Sequence, residues 1–150
     1  MDQGGSEPSL EGLIVPDASV LLKWVLPAEQ EADLAQARAL RSAFLDQRVE
    51  LLVPPLWFYE VGNVLTLKCP QDAAERLRLL ADMAIPEARP GGIWRDEICA
   101  LARSKRVTFY DAAYHALARV RSGLFVTADR KYLAKAGGDG HSLLLSDWAG

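Results

Sequence analysis

Apolar positions along the chain come in two alternating kinds of segment. Leu13-Ile14-Val15, Leu51-Leu52-Val53, Leu124-Phe125-Val126-Thr127 and Ser142-Leu143-Leu144-Leu145 are short, nearly continuous apolar runs, and they predict buried strands. Between them, apolar residues return at mostly helical spacing. That spacing predicts helices over 18–26 (stopped by Pro27), 29–47, 57–68, 71–83, 93–104, 109–121 and 130–136. Pro54-Pro55 marks the start of the third, because proline is tolerated at a first helical position. In the fourth, Leu77, Leu80 and Ala81 are expected to face inward, and Arg76 and Arg78 outward. Ala84-Ile85-Pro86 reads as one more short strand, confined to an edge by its proline.

Strands that alternate with helices imply an α/β fold, a parallel sheet covered on both faces. In such sheets ligands bind beyond the carboxyl ends of the strands, where strand order reverses. The residues that follow each strand are therefore the ones to inspect for chemistry.

At 150 residues the chain fits one domain. The polar, Gly-rich residues 1–11 are expected to be a flexible tail, and 12–150 the folded unit. A net charge of −3 argues against a surface that is basic throughout, but the charge is unevenly spread. Residues 1–100 carry nine basic and 16 acidic side chains, whereas 101–150 carry eight and four, so the C-terminal third could meet a polyanion. Cys69 and Cys99 stand in no metal-like spacing with His115 or His141 and read as inert thiols in a reducing compartment. Met1 to Glu11 has neither the basic nor the apolar region of a signal peptide, and no apolar run is long enough to span a membrane. The expectation is a soluble cytoplasmic protein.

Four carboxylates occupy suggestive places. Asp17 directly follows the first strand, and Asp129 lies two residues after Thr127; each could equally cap the helix behind it. On a helical wheel Glu60 falls between Leu67 and Val64, beside Trp57 and Val61, where a carboxylate is unfavourable unless paired; at the edge of that stripe it would simply reach solvent. Asn63, one turn on, could orient what Glu60 holds. Asp111 closes a capping-box pattern with Thr108, which does not exclude a second role on the same rim. Carboxylates converging without His or Cys make an oxygen-only site suited to Mg²⁺ or Mn²⁺ and to phosphodiester hydrolysis. Phosphate-loop chemistry is poorly supported, because neither Gly91-Gly92 nor Gly137-Gly138 leads into a lysine-serine or lysine-threonine pair. His115, one turn after Asp111, reads as a packed or surface histidine rather than a general base.

The stretch from Val15-Pro16-Asp17-Ala18-Ser19 to Trp24 resembles the opening motif of PIN-domain nucleases, especially the toxin ribonucleases of VapBC toxin–antitoxin pairs. Three further segments resemble later motifs of that family in order: Glu60-Val61-Gly62-Asn63, Thr108-Phe109-Tyr110-Asp111, and Val126-Thr127-Ala128-Asp129. The ending Leu145-Ser146-Asp147-Trp148 fits as well. The resemblance implies a three-layer α/β/α domain with a parallel sheet of order 3-2-1-4-5, which sets the first and fourth strands side by side. It implies Asp17, Glu60, Asp111 and Asp129 as catalytic metal ligands for Mg²⁺ or Mn²⁺, supported by Ser19, Asn63 and Thr127. It further implies an RNA substrate, a VapB-like antitoxin and a homodimer. Arg130 and Lys131, next to Asp129, are the candidate RNA contacts. Two other readings are a PIN-type RNA-processing nuclease without an antitoxin and a phospho-acceptor receiver. The receiver would need paired acids after the first strand and a lysine after the last, and Asp17 is unpaired while 142–147 contains no lysine.

Overall fold

The computed structural model describes residues 12–150; the tail expected over 1–11 lies outside the described residues. Four parallel strands, β1 (Leu13–Pro16), β2 (Glu50–Leu51), β3 (Leu124–Thr127) and β4 (Ser142–Leu144), form a sheet of order β2-β1-β3-β4. Ile14 pairs with Leu51 on one side and Leu124 on the other, and Val126 pairs with Leu143. The expected edge strand is reduced to a single parallel bridge, Val53 to Glu87, made by Val53 N–H to Pro86 O and Ala88 N–H to Val53 O. Pro86 cannot donate to a ladder, which keeps this edge short. Counting that bridge, the order along the sheet is the one expected.

Seven helices connect the strands: α1 (Ala18–Lys23), α2 (Leu34–Leu45), α3 (Leu56–Lys68), α4 (Ala73–Asp82), α5 (Gly92–Lys105), α6 (Phe109–Val120) and α7 (Arg130–Ala136). Strand residues alternate between two cores, as the period of two requires. Ile14, Leu51 and Val126 pack with Leu21, Leu40 and Leu65 from α1, α2 and α3, whereas Val15, Leu52 and Phe125 pack with Tyr114, Leu117 and Tyr132 from α6 and α7. Ile98 and Leu101 of α5 close on Ala112 and Ala116 of α6. Helices therefore cover both faces. No helix among the described residues is long and apolar enough to cross a membrane.

Three local expectations fail for identifiable reasons. The helix expected over 29–47 is interrupted: a 3₁₀ turn at Ala28–Gln30 precedes Asp33, whose φ of 58° is left-handed, and only then does α2 begin. Aspartate is among the few residues that tolerate this conformation. Arg76 does not point outward, because its guanidinium donates to the Val25 carbonyl and pairs with Asp72. Ala81 is exposed rather than inward. At the α6–β3 turn, Gly123 sits where a Cβ would lie 2.8 Å from the Leu13 carbonyl, so only glycine lets β3 approach β1 so closely.

Candidate metal and nucleic-acid site

The two central strands bring Asp17 and Thr127 together from opposite ends of the sequence. Asp17 N–H donates to Val126 O, extending the β1–β3 ladder to the end of the strands. Its carboxylate then caps α1, accepting from Val20 N–H at 3.3 Å. Both oxygens are also held by hydroxyls: Ser19 Oγ donates to Oδ1 at 2.5 Å and Thr127 Oγ1 to Oδ2 at 2.6 Å. The hydroxyls themselves accept from Ala128 N–H and Asp129 N–H, each at 3.0 Å. A five-residue lattice thus fixes the end of β1 against the end of β3. Burial pushes the Asp17 carboxyl up to about 6, against the opposing pull of its hydrogen bonds, and the charge of Glu60 adds to the rise.

Glu60 lies on α3, half-buried, and accepts from the Tyr114 hydroxyl at 2.6 Å. The face that α3 buries is Trp57, Val61 and Leu65, while Leu67 is 74 % exposed, so Glu60 stands at the edge of the stripe and not within it. Burial and then the charge of Asp111 raise its carboxyl, and the Tyr114 bond opposes them. Asp111 and Asp129 are exposed at the starts of α6 and α7. Thr108 Oγ1 accepts from Asp111 N–H, giving the cap half of the expected box, and Asp129 caps α7 through Tyr132 N–H at 3.0 Å. Desolvation and the nearby charge of Asp129 raise the Asp111 carboxyl. Asp17 feels Glu60, Glu60 feels Asp111, and Asp111 feels Asp129, which puts the four on one continuous rim. Asn63 is exposed one turn beyond Glu60.

The donor set is all oxygen, the kind that suits a hard divalent cation. Glu60 Oε2 and Asp129 Oδ2 accept no hydrogen bond from the described residues. Even so, among the described residues no three His, Cys, Asp or Glu side chains come close enough to hold one ion together. The carboxylates fit such an ion in chemistry and in mutual field, and the ligand set is not preassembled.

Asp111 and Asp129 line a cleft of about 210 Å³, together with Thr108, Tyr132, Arg106, Lys131 and Lys135. Lys131 is thus in its wall, whereas Arg130 lies on the exposed surface outside it. A larger cleft of about 370 Å³ contains no acidic side chain.

Tyr114, Tyr132 and Asp139 escape a reading from sequence alone. A buried tyrosine needs a partner for its hydroxyl, which was the available signal for Tyr114. Tyr132 and Asp139 belong to a network around His115, which is fully buried. His115 Nδ1 lies 2.8 Å from the Tyr132 hydroxyl and Nε2 lies 2.7 Å from Asp139 Oδ2, while the ring stacks on Phe125. Burial lowers the imidazole's affinity for a proton despite Asp139, so the latter contact is a hydrogen bond from a neutral ring. Asp139 remains acceptor-only, which assigns the proton to Nε2 and makes Nδ1 the acceptor for Tyr132. His115 is a packed residue and not a free base.

A doubly wound parallel α/β domain with a carboxylate rim at its strand ends is the class that fold and site define. The chain matches the PIN domain family over residues 14–138. It is 30% identical over 123 residues to Exonuclease VapC9 of Pyrobaculum aerophilum, an alignment spanning 75% of this chain and 90% of that protein. Among solved structures, PAE2754 from Pyrobaculum aerophilum superposes with a TM-score of 0.61 at 24% identity, covering 91% of this chain and 92% of that one. The protein belongs to the PIN domain family.

Proposed function

We propose that this protein is a metal-dependent endoribonuclease, the toxin of a type II toxin–antitoxin pair, working in the cytoplasm on RNA phosphodiesters. The observation that carries this reading is the rim itself: four carboxylates from four separate elements, in one another's field, beside basic side chains. Asp17, Glu60, Asp111 and Asp129 would hold Mg²⁺ or Mn²⁺, which when bound polarises the phosphodiester and activates a water for in-line attack. Ser19 and Thr127 keep both Asp17 oxygens fixed, and Tyr114 fixes Glu60 by Oε1. That leaves Glu60 Oε2 to orient the attacking water, with a carboxyl raised toward the pH at which a general base works best.

The experiment is cleavage of single-stranded RNA, supplied as linear and as circular molecules, by protein freed of contaminating nuclease. Both should be cut with Mg²⁺ or Mn²⁺ and neither in EDTA. Undiminished cutting in EDTA removes the metal from the reading. Cutting of the linear RNA alone makes the enzyme an exonuclease, as the relative from Pyrobaculum aerophilum is named.

A VapB-like antitoxin and a homodimer complete the proposal. Support for the dimer is an apolar face: Phe58, Tyr59, Ile93, Phe109 and Tyr110 are exposed around the larger cleft, whose walls include Trp94 and Ile98. Monomeric proteins seldom leave such a patch uncovered. Light scattering should give twice the chain mass, and Ile93→Asp should shift it toward the monomer.

A further inference from the structure

The cleft that holds Asp111 and Asp129 also carries three cations, and two of them, Arg106 and Lys135, come from outside the Asp129 motif. Arg106 caps the C-terminus of α5 with φ 56° and ψ 47°. That left-handed position is where glycine is cheapest and where helices commonly place it. Five non-glycine residues among those described have positive φ, and Arg106 is the one whose side chain lines this cleft. Lys135, on α7, donates from Nζ to the Arg106 carbonyl at 3.1 Å, so the two cations arrive from opposite walls and are tied to each other. Lys131 stands on the same helix one turn earlier. Among the described residues, none of the three makes an ion pair within 4.0 Å.

A wall of carboxylates facing a wall of cations divides the work on a polyanion. The phosphate to be cut belongs at the carboxylates with their metal, and its uncut neighbour needs positive charge beside them. A guanidinium supplies that charge as a planar fork that fits phosphate oxygens in pairs, which an ammonium does not. We propose that Arg106, Lys131 and Lys135 form a subsite for an uncut backbone phosphate of single-stranded RNA, next to the one cleaved. Arg106 occupies a glycine position because the strand needs its side chain there. The inference rests on the ribonuclease reading and says where on the protein the substrate runs.

The test is binding of a fluorescent single-stranded RNA oligonucleotide, followed by anisotropy in 50 to 200 mM KCl, with Asp17→Asn as the common background to prevent cleavage. Each lost phosphate contact on a single strand lowers the salt slope by roughly 0.7, so Arg106→Gly with Lys135→Ala should lower it by about 1.4. Going from 200 to 50 mM salt would then strengthen the parent about sevenfold more than the variant. Arg106→Gly alone should bind more weakly yet melt at the same temperature or higher, since glycine suits the backbone better. Arg106→Lys keeps the charge and should keep the slope. An unchanged slope in the double variant, while wild type still cleaves RNA, overturns the subsite and leaves the ribonuclease reading intact. The same holds if the double variant binds RNA normally and fails only to bind an acidic protein partner. A lower melting temperature in Arg106→Gly assigns the arginine to structure and also overturns the proposal. If wild type neither binds nor cleaves RNA, the broader reading falls and takes the subsite with it.

Discussion

Asp17→Asn should abolish cleavage while leaving the metal-free protein at least as stable as wild type. Residues that merely support a metal ligand typically cost 10- to 100-fold when removed, so loss of a ligand itself should reduce the rate by ~10²-fold or more. Stability should move the other way. A carboxyl lifted from 3.8 to about 6 means that folding holds a charge it would rather neutralise, at a cost of about 3 kcal/mol at neutral pH. The sign follows directly: between those two values the folded state binds the extra proton, so lowering the pH through about 6 stabilises the apo protein. Asparagine imitates the protonated side chain without needing the proton, and it caps helices as well as aspartate does. The change is imperfect, because an amide N–H₂ must face either Ser19 Oγ or Thr127 Oγ1, and both now donate to Asp17. Thr127 Oγ1 also accepts from Asp129 N–H, so its hydroxyl would have to turn. A net gain of about 1–2 kcal/mol, or roughly 3–8 °C in Tm, is the expected balance. Added Mg²⁺ should raise the wild-type Tm and raise that of Asp17→Asn less, since ligand binding stabilises only in proportion to affinity for the folded state. Equal shifts on adding metal would make Asp17 a helix cap and nothing more.

The rim was readable because its outer members obey positional rules. Asp17 and Asp129 follow strands whose apolar runs are unmistakable, and parallel sheets put their chemistry there. Thr108 and Asp111 could be found by the capping pattern, which needs only local spacing. Glu60 was harder. On α3 the apolar residues nearly encircle the helix, so a wheel could not tell that Leu65 faces the core while Leu67 faces solvent. The break before α2 hinges on one left-handed aspartate, and the edge strand fails because Pro86 removes a donor from the ladder. Arg76, Arg106, Tyr114 and Asp139 share a different obstacle. Their roles are set by groups 24 to 54 residues away, and no local pattern announces such neighbours.

The largest loss of stability should come from His115. The ring is fully buried, stacks on Phe125, and gives both nitrogens to partners on other elements. His115→Ala would leave a cavity, strand the hydroxyl of the nearly buried Tyr132, and untie Asp139 from α6. Truncating a large buried ring typically costs about 3–5 kcal/mol, which for a chain of this size lowers the Tm by roughly 6–20 °C. The damage should reach the rim, because Tyr132 lines the cleft and its N–H holds Asp129 Oδ1. The wild-type ring also carries a pH signature opposite in sign to that of Asp17. An imidazole whose folded-state proton affinity is lowered below the ordinary 6.5 stays neutral in the fold while the unfolded chain takes up a proton. His115 therefore stabilises fully above that value and loses its contribution as the pH falls below it. Glu60 and Asp111, with carboxyls raised like that of Asp17, oppose this loss. In wild type the contributions overlap between about pH 6.5 and 4, and Tm should vary little there. Asp17→Asn removes the largest acid-stabilising partner, so its melting curves should show Tm falling as the pH drops from 7.5 to 5. Adding His115→Gln, which keeps a polar planar group but cannot titrate, should flatten that fall. A slope that survives in the double variant would mean that some other group is protonated on unfolding, and that His115 serves only as packing.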